Sequence, residues 1–214
     1  MKKLGIVFIV LLIGFNQGFA QDKAKAKQLL DEVSNKMTSY KTLYIDFKNV
    51  LENQEEQIKQ ETKGNASLKG EKYTVNFLGT TTIFDGNKNY LINPEDEEVN
   101  ISNTEDNDEI TPAKFFSFYK EGYEYLWDIL QNVNGRKIQF VKLMPIASDS
   151  DMKYVLLGID NKTKNIYKLI QVGKNGSNYT LTITKFKPNI DLPNKTFEFN
   201  RKKYESEGYI INDL

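Results

Sequence analysis

The apolar positions of the chain follow two different periods. Early in the chain they recur every three or four residues among polar neighbours, at Leu29, Leu30, Val33, Met37 and Tyr40. That spacing places them on one face of an α-helix. Asp22 precedes the stripe and is a residue type that caps helix N-termini. The pattern predicts an amphipathic helix that begins near Asp22.

From residue 42 onward, apolar positions alternate with polar ones, as in a strand that buries one face. Alternating or strand-rich runs span 43–51, 73–77, 80–84, 88–92, 99–101, 122–130, 137–144, 154–159, 166–172 and 179–186. Turn-forming pairs lie between several of these runs, namely Asp85–Gly86, Asn134–Gly135, Asp160–Asn161 and Asn175–Gly176. We therefore predict about ten short strands that form a meandering antiparallel sheet.

One further helix is predicted inside the strand-rich region. Thr111 is a suitable N-cap residue, and Pro112 suits a first helical turn. Four aromatic residues follow at short spacing: Phe115, Phe116, Phe118 and Tyr119. On a helix of about two turns they would form one broad apolar face. This face either plugs a filled barrel or covers an apolar cavity as a lid, and the pattern does not separate these alternatives.

The N-terminus has the composition of a cleaved secretory signal peptide. Two lysines precede an apolar run over residues 4–15, and small residues stand one and three positions before Gln21. The run is too short for a comfortable membrane span, and no longer one follows. We predict a signal peptide over residues 1–20 and a single domain over residues 21–214.

The residue types that are missing exclude several functions. The chain has no cysteine, so we expect an exported protein without a disulfide and without the lipid anchor that a cleavage-site cysteine carries. It has no histidine, which excludes Ser–His or Cys–His catalysis and His-ligated zinc. The 29 basic and 29 acidic side chains balance, and loss of two lysines with the signal peptide leaves a net charge of −2. Such a chain lacks the basic face that nucleic acid requires.

Two acidic runs are the remaining candidates for chemistry. Glu95–Glu98 are contiguous, and Glu105, Asp106, Asp108 and Glu109 follow closely. Contiguous residues of a strand point to alternate faces, so the first run would not converge on one site. The spacing also differs from that of a calcium-binding loop. We interpret both runs as solvated loops and predict no enzymatic activity, no metal and no cofactor.

Seven stretches of the sequence have a distinctive order and spacing: YIDFKN, GNASLKGEKYTV, FDGNKNYLIN, TPAKFFSFYKEG, IDNKTKNIYKLI, KNGSNYTLTITKFKPN and LPNKTFEFNRKKYE. Together they resemble the LolA family, in the form found in Bacteroidetes. The resemblance covers nearly the whole chain from Asp22 to Leu214. It rests on the order of the stretches and not on any single motif.

The resemblance implies a mainly β (α+β) fold, a half-open antiparallel β-barrel with helices forming a lid. It implies a monomeric periplasmic carrier that binds the acyl chains of lipoproteins in an apolar cavity. Such a carrier receives acylated lipoproteins from an inner-membrane lipoprotein-releasing ABC transporter and delivers them to an outer-membrane acceptor. The acceptor has a similar fold but carries a lipid on a cysteine, so this chain matches the carrier. The alternative is a module of the same fold that binds another lipid or senses lipoproteins.

On the basis of the resemblance we predict which residues line the cavity. They are Ile45, Phe47, Tyr73, Val75 and Phe77 on the concave face of the sheet, and Phe115, Phe116 and Tyr119 in the lid. Ordinary core packing is the alternative role for each of them, and Trp127 is expected to belong to the core. A filled barrel that carries no cargo is a further alternative.

One position departs from the family pattern. An arginine that helps to hold the lid in well-studied members corresponds to Gly70 in this chain. Either Lys69 or Lys72 replaces it, or the cavity is gated differently. A lysine would not reproduce the planar hydrogen-bonding geometry of a guanidinium group.

Overall fold

The computed structural model describes residues 16–103 and 112–214. Most of the predicted signal peptide lies outside the described residues, as do the predicted helix cap Thr111 and the acidic residues Glu105, Asp106, Asp108 and Glu109. None of the described helices has the length and apolarity that a membrane span requires.

The described residues form three α-helices and twelve strands. The helices are α1 Asn16–Thr38, α2 Pro112–Phe115 and α3 Arg201–Ser206, and 3-10 turns span Phe118–Lys120 and Asn194–Phe197. The first six strands are β1 Thr42–Asn53, β2 Ile58–Lys69, β3 Lys72–Phe77, β4 Thr80–Phe84, β5 Lys88–Asn93 and β6 Glu98–Asn103. The others are β7 Tyr123–Val133, β8 Arg136–Pro145, β9 Met152–Asp160, β10 Ile166–Gly173, β11 Ser177–Pro188 and β12 Ile210–Asp213.

All twelve strands belong to one sheet that does not close. Their order is β12-β6-β5-β4-β3-β2-β1-β11-β10-β9-β8-β7. Strands β7 and β12 are the two edges, and β12 runs parallel to β6 while the other neighbours are antiparallel. Strands β1 and β11 join the two meandering halves along almost their full lengths. The predicted half-open antiparallel fold is confirmed.

One face of this sheet, which we call the concave face, carries the main core. Apolar residues of β1, β2, β8, β9, β10 and β11 form one cluster there with α1 and residues 112–120, which we call the aromatic segment. Leu43, Val141 and Leu157 are buried in it, and Trp127 packs against it half-buried. The sheet therefore wraps around α1 and the aromatic segment, which cover its open side.

Two bulges adjust which side chains reach the concave face. Between Asp46 and Phe47 the register of β1 against β11 shifts by one residue. Because of this shift, both Ile183 and Phe186 face the core although they lie three positions apart, a spacing that would place them on opposite faces of a regular strand. A second shift in β7, between Trp127 and Leu130, leaves Leu130 exposed.

The opposite, outer face carries a smaller core at β4, β5 and β6. Ile83, Ile92, Val99 and Ile101 are buried there, covered by the C-terminal segment 190–214 through its aromatic residues. The ring of Phe199 stacks on that of Tyr90 with centroids 4.6 Å apart. The C-terminal segment therefore stabilises the strands that lie furthest from α1.

Several turn predictions are confirmed, and the best defined is at Asp85–Gly86. The Asp85 carboxylate accepts hydrogen bonds from the backbone N–H groups of Asn87 at 2.8 Å and Lys88 at 2.9 Å. Gly86 adopts φ 98°, which a side chain would disfavour. The acidic residues Glu95 to Glu97 are exposed in the turn between β5 and β6, as expected for a solvated loop.

Three predictions of local structure are wrong. Helix α1 begins at Asn16 and contains Asp22, because no proline separates the two positions and Gly18 alone does not end the helix. The number of strands is twelve, since β2 and β12 have weak apolar patterns and form by backbone pairing with β1 and β6. The predicted two-turn helix is a single turn, α2, followed by the 3-10 turn Phe118–Lys120.

Candidate functional site

The aromatic segment directs its rings in two directions. Phe116 and Tyr119 are 6% and 1% exposed and belong to the concave core, whereas Phe115 and Phe118 are half-buried. The rings of Phe115 and Phe116 meet edge to face with centroids 5.1 Å apart. The change from α-helix to 3-10 turn separates these directions, so the four rings do not form one continuous stripe.

Two tyrosine side chains fasten the segment to its surroundings. The Tyr119 hydroxyl lies 3.5 Å from the Leu30 carbonyl oxygen of α1. Burial raises the pKa of Tyr119 to about 12, and the nearby Asp31 carboxylate adds to the shift. From β7, the Tyr125 hydroxyl donates to the carbonyl oxygens of Tyr119 at 2.8 Å and Lys120 at 3.0 Å. Tyr125 therefore tethers the C-terminal end of the segment to the sheet.

One apolar pocket, which we call the neutral pocket, lies beneath the other two rings. It has a volume of about 320 Å³ and is lined by Asn49, Phe115, Phe118, Tyr123, Met152, Leu169, Gln171, Tyr179 and Leu181. Seven of these nine residues are apolar or aromatic and none is charged. Leu169 and Leu181 lie directly opposite each other on β10 and β11, so the sheet forms the floor and the aromatic segment forms the cover.

A second pocket, which we call the lysine-rimmed pocket, lies on the other side of the aromatic segment. It has a volume of about 290 Å³, and its lining residues are Ser34, Met37, Thr38, Tyr40, Lys41, Thr42, Leu43, Leu68, Gly70, Phe116, Ser117 and Lys120. Leu43 and Phe116 are buried, whereas Lys41 and Lys120 are exposed. This pocket thus combines an apolar interior with a cationic rim.

A third pocket, larger than the two apolar ones, has a different character. It measures about 690 Å³ and is lined mainly by polar side chains of the outer face, including Asp46, Lys48, Asn65 and Asn76. The Asn76 amide donates to the Asn65 side-chain oxygen at 2.8 Å. Such a polar groove is unsuited to an alkyl chain.

Most of the predicted cavity residues pack into the core rather than line a pocket. The Phe47 ring contacts that of Phe77 with centroids 5.4 Å apart, and Ile45 is 5% exposed beside it. Val75 is half-buried against the same core. Tyr73 packs on the Phe84 ring, and its hydroxyl donates to the Asn89 side-chain oxygen at 2.8 Å.

Of the eight predicted residues, only Phe115 lines the neutral pocket. Phe116 lines the lysine-rimmed pocket, and Phe77 lines the polar outer groove. Ile45, Phe47, Tyr73, Val75 and Tyr119 line none of these three pockets. Contact of any of the eight with a ligand stays a prediction.

Sequence reasoning did not select the sheet residues of the neutral pocket. Met152, Leu169 and Leu181 lie in or beside runs that it recognised as strands. The alternation in those runs places Leu169 and Leu181 on a buried face. What it lacked was the position of β10 and β11 beneath the aromatic segment, which is a tertiary relation.

The structure also shows what the lysines next to Gly70 contact. The Lys69 ammonium donates to the Leu192 carbonyl oxygen at 3.3 Å and to the Asn194 side-chain oxygen at 2.9 Å, both in the C-terminal segment. The Lys72 side chain lies beside Gly86. Lys69 therefore contacts the C-terminal segment, and Lys72 lies beside the turn at Asp85–Gly86.

The arrangement of the described acidic side chains bears on metal binding. Across residues 16–103 and 112–214, no three acidic side chains are grouped as they would need to be to bind a metal ion. The buried carboxylate of Asp160 is engaged instead by Arg136, whose Nε lies 2.7 Å away. Burial opposes the ionisation of Asp160, but backbone N–H donors, chiefly that of Thr163, together with Arg136 lower its pKa.

Comparisons with known proteins agree with this architecture. One similar solved structure is an uncharacterised conserved protein from Thermus thermophilus, with a TM-score of 0.57, 10% identity, and coverage of 89% of this chain and 99% of that one. A putative outer membrane lipoprotein-sorting protein domain from Vibrio parahaemolyticus has a TM-score of 0.46 and 12% identity, covering 86% and 99%. A LolA superfamily protein from Nitrosomonas europaea has a TM-score of 0.42 and 12% identity, covering 81% and 97%.

A comparison with curated protein sequences gives no match. A family model, however, matches residues 38–200, and its description is outer membrane lipoprotein carrier protein LolA. The matched range includes eleven of the twelve strands, the aromatic segment and nearly all residues of both apolar pockets. The chain belongs to the LolA family.

Proposed function

We propose that the protein is a periplasmic carrier that binds the acyl chains of lipoproteins and moves them from the inner to the outer membrane. The observation that carries the proposal is the neutral pocket, a space of about 320 Å³ with no charged residue in its lining. An alkyl chain needs an uncharged, mostly apolar enclosure of this kind, because buried charges would lose their hydration. The role consists of binding and release and requires no catalytic group.

The volume of the pocket sets the length of chain that it accommodates. A methylene group occupies about as much space as a water molecule, ~30 Å³, so the pocket holds on the order of ten methylenes. Each contributes ~0.8 kcal/mol on leaving water, or ~8 kcal/mol together. A chain of ~16 carbons would cost on the order of 12 kcal/mol in water, so the pocket offsets most but not all of that cost.

Longer chains require the aromatic segment to move. Its helix α2 has only four residues, and Phe115 and Phe118 cover the pocket without being fully buried. Displacement of these two rings would lengthen the pocket while the sheet beneath keeps its hydrogen bonds. A cover that yields in this way also favours release, which a carrier needs as much as binding.

The partners follow from the family role. Loading would occur at an inner-membrane lipoprotein-releasing ABC transporter, and unloading at an outer-membrane acceptor. Export through the signal peptide predicted over residues 1–20 would place the carrier between them. Each carrier molecule would hold one acylated lipoprotein as a soluble one-to-one complex.

The direct test measures release of a lipoprotein from membranes. The protein lacking residues 1–20 is incubated with spheroplasts that hold a radiolabelled lipoprotein, and the supernatant is analysed by gel filtration. We expect the label to elute with the carrier as a one-to-one complex. If the supernatant stays unlabelled while an established carrier releases the lipoprotein, the transport role is wrong. Lipid binding without release would favour the alternative, a module that binds another lipid or senses lipoproteins.

A pair of variants tests the location of the site. Leu181→Glu places a carboxylate on the floor of the neutral pocket, and Leu181→Trp fills that pocket without adding charge. The matched control is Ile146→Glu, at a residue that is 66% exposed and lines none of the pockets described above. We expect both Leu181 variants to fold, as judged by circular dichroism, and to retain at least ~10-fold less lipoprotein than the control, a difference of about 1.4 kcal/mol. Equal retention of the lipoprotein by all three variants would show that the acyl chain does not bind in the neutral pocket.

A further inference from the structure

The lysine-rimmed pocket differs from the neutral pocket in the charge at its opening. Lys41 and Lys120 are the only charged residues in its described lining, and both are exposed at its rim. Deeper in the pocket, Leu43 is 3% and Phe116 6% exposed. The acyl chains of a lipoprotein are joined through uncharged esters and amides, so they give no reason for a cationic rim. The pocket therefore matches a different ligand from the proposed cargo.

The two lysine ammonium groups are available to a ligand. Among the described residues, no carboxylate lies within ion-pair distance of either, although several lysines nearby are paired. The ammonium group of Lys27 pairs with the Asp31 carboxylate at 2.7 Å, both on α1. The ammonium group of Lys164, which follows β9, pairs with the Glu32 carboxylate of α1 at 2.8 Å. Among the described residues, Lys41 and Lys120 thus differ from Lys27 and Lys164, which are held in ion pairs.

We propose that the lysine-rimmed pocket binds a single-chain amphiphile with an anionic head, such as a fatty acid. The alkyl chain lies against Leu43, Leu68 and Phe116, and the head lies between the ammonium groups of Lys41 and Lys120. A volume of about 290 Å³ accommodates on the order of ten methylenes. A chain of that length with one charged end matches both the volume and the charge distribution of the site.

Binding at this site is separate from binding in the neutral pocket. The lining residues of the two pockets do not overlap, and the aromatic segment stands between them. Phe115 covers one pocket and Phe116 closes the other. The proposal therefore does not depend on lipoprotein transport, and each can fail without the other.

The test is a titration with dodecanoate, followed by NMR on the ¹⁵N-labelled protein without residues 1–20. We expect the amide signals of Lys41, Gly70 and Ser117 to shift, since these residues line the pocket. Dodecyl phosphate is titrated in parallel, and tighter binding of one probe identifies the head as carboxylate or phosphate, either of which supports the site. Shifts confined to Leu169 and Leu181 of the neutral pocket would overturn the proposal.

Variants separate the charge from the apolar contact. The double variant Lys41→Gln/Lys120→Gln should bind dodecanoate ~5–10-fold more weakly, in line with two partly solvated ion pairs. Its affinity for dodecanol, which has the same chain and no charge, should stay within about twofold of the unaltered protein. Lys202→Gln, an exposed lysine on α3, is the matched control and should leave both affinities unchanged. Unaltered dodecanoate binding by the double variant would show that the lysines hold no head group and would overturn the proposal.

Discussion

The Phe47 ring packs directly onto Gly64, and the substitution Gly64→Ala tests this packing. A Cβ atom at Gly64 would lie 2.5 Å from Cζ of Phe47, 2.8 Å from its Cε2 and 2.7 Å from the backbone oxygen of Asn76. Carbon atoms in proteins do not approach so closely, so the ring and the β3 backbone would both have to move. The ring can tilt, whereas the Asn76 oxygen belongs to a paired strand.

Overpacking of this kind costs ~1–3 kcal/mol, and we expect the upper half of that range because one of the colliding atoms is backbone. Urea unfolding measures the loss, with fluorescence of Trp127, the single tryptophan, as the signal. The double variant Phe47→Leu/Gly64→Ala removes the ring and should recover part of the loss, as a coupling of at least ~0.5 kcal/mol. If Gly64→Ala changed the free energy of unfolding by less than ~0.5 kcal/mol, the close packing of Phe47 on Gly64 would be refuted. Free space beside Phe47 would then be the better explanation.

Three further predictions address the lid, acid stability and the C-terminal edge. Tyr125→Phe removes the hydroxyl donor that holds two carbonyl oxygens of the aromatic segment. Hydrogen exchange of the backbone amides of that segment should accelerate ~5-fold or more, as expected for the loss of about 1 kcal/mol. Unchanged exchange rates would contradict the tethering role of Tyr125. Burial opposes ionisation of the Asp85 carboxylate, but hydrogen bonds from the Lys88 and Asn87 amides and the Tyr90 hydroxyl outweigh this effect and lower the pKa of Asp85. The ionised carboxylate therefore stabilises the fold fully above its ordinary pKa of 3.8. This stabilisation is lost as the pH falls through the lower pKa of the folded state. Urea unfolding from about pH 6 down to pH 2 should show the stability difference between the unaltered protein and Asp85→Asn shrinking below about pH 4, and a constant difference would contradict this. Arg201 pairs with Asp213 at 2.8 Å on the surface, so Arg201→Ala should lower stability by less than ~1 kcal/mol in the same unfolding assay, and a larger loss would show that this ion pair, rather than apolar packing, holds β12.

The local alternation of apolar and polar residues was sufficient to predict most of the strands. Runs such as 80–84 and 88–92 coincide with β4 and with all but one residue of β5, because alternation and the Asp85–Gly86 turn act within a few residues of each other. The same reasoning missed β2, whose side chains are mostly polar and whose first half is exposed. That strand forms because β1 pairs with it over its whole length, an interaction that cannot be predicted from the residues of β2 alone.

The aromatic cover of the neutral pocket is recognisable from the sequence, whereas the position of the pocket is not. The aromatic residues of the lid were recognised from composition, yet a single helical turn followed by a 3-10 turn sends Phe116 inward and leaves Phe115 over the neutral pocket. Phe47, which the resemblance predicts to line the cavity, packs against Phe77 and over Gly64, and its contact with a ligand stays a prediction. Strict alternation also could not foresee the bulge in β1 and β11, which brings both Ile183 and Phe186 to the core.

The sequence by itself determined the fold class, which is mainly β. It shows a chain without cysteine or histidine, rich in short alternating strands, with one amphipathic helix and one aromatic segment. These features depend on neighbours in the chain, so local periodicity and composition reveal them. Only the tertiary structure decided which apolar residues fill the concave face and which leave space. That division depends on strand order, on bulges that shift the register, and on which side chains meet across the sheet, and none of these is a property of a local stretch. For the same reason, the neutral pocket and the lysine-rimmed pocket became visible only once β10, β11, α1 and the aromatic segment had been brought together.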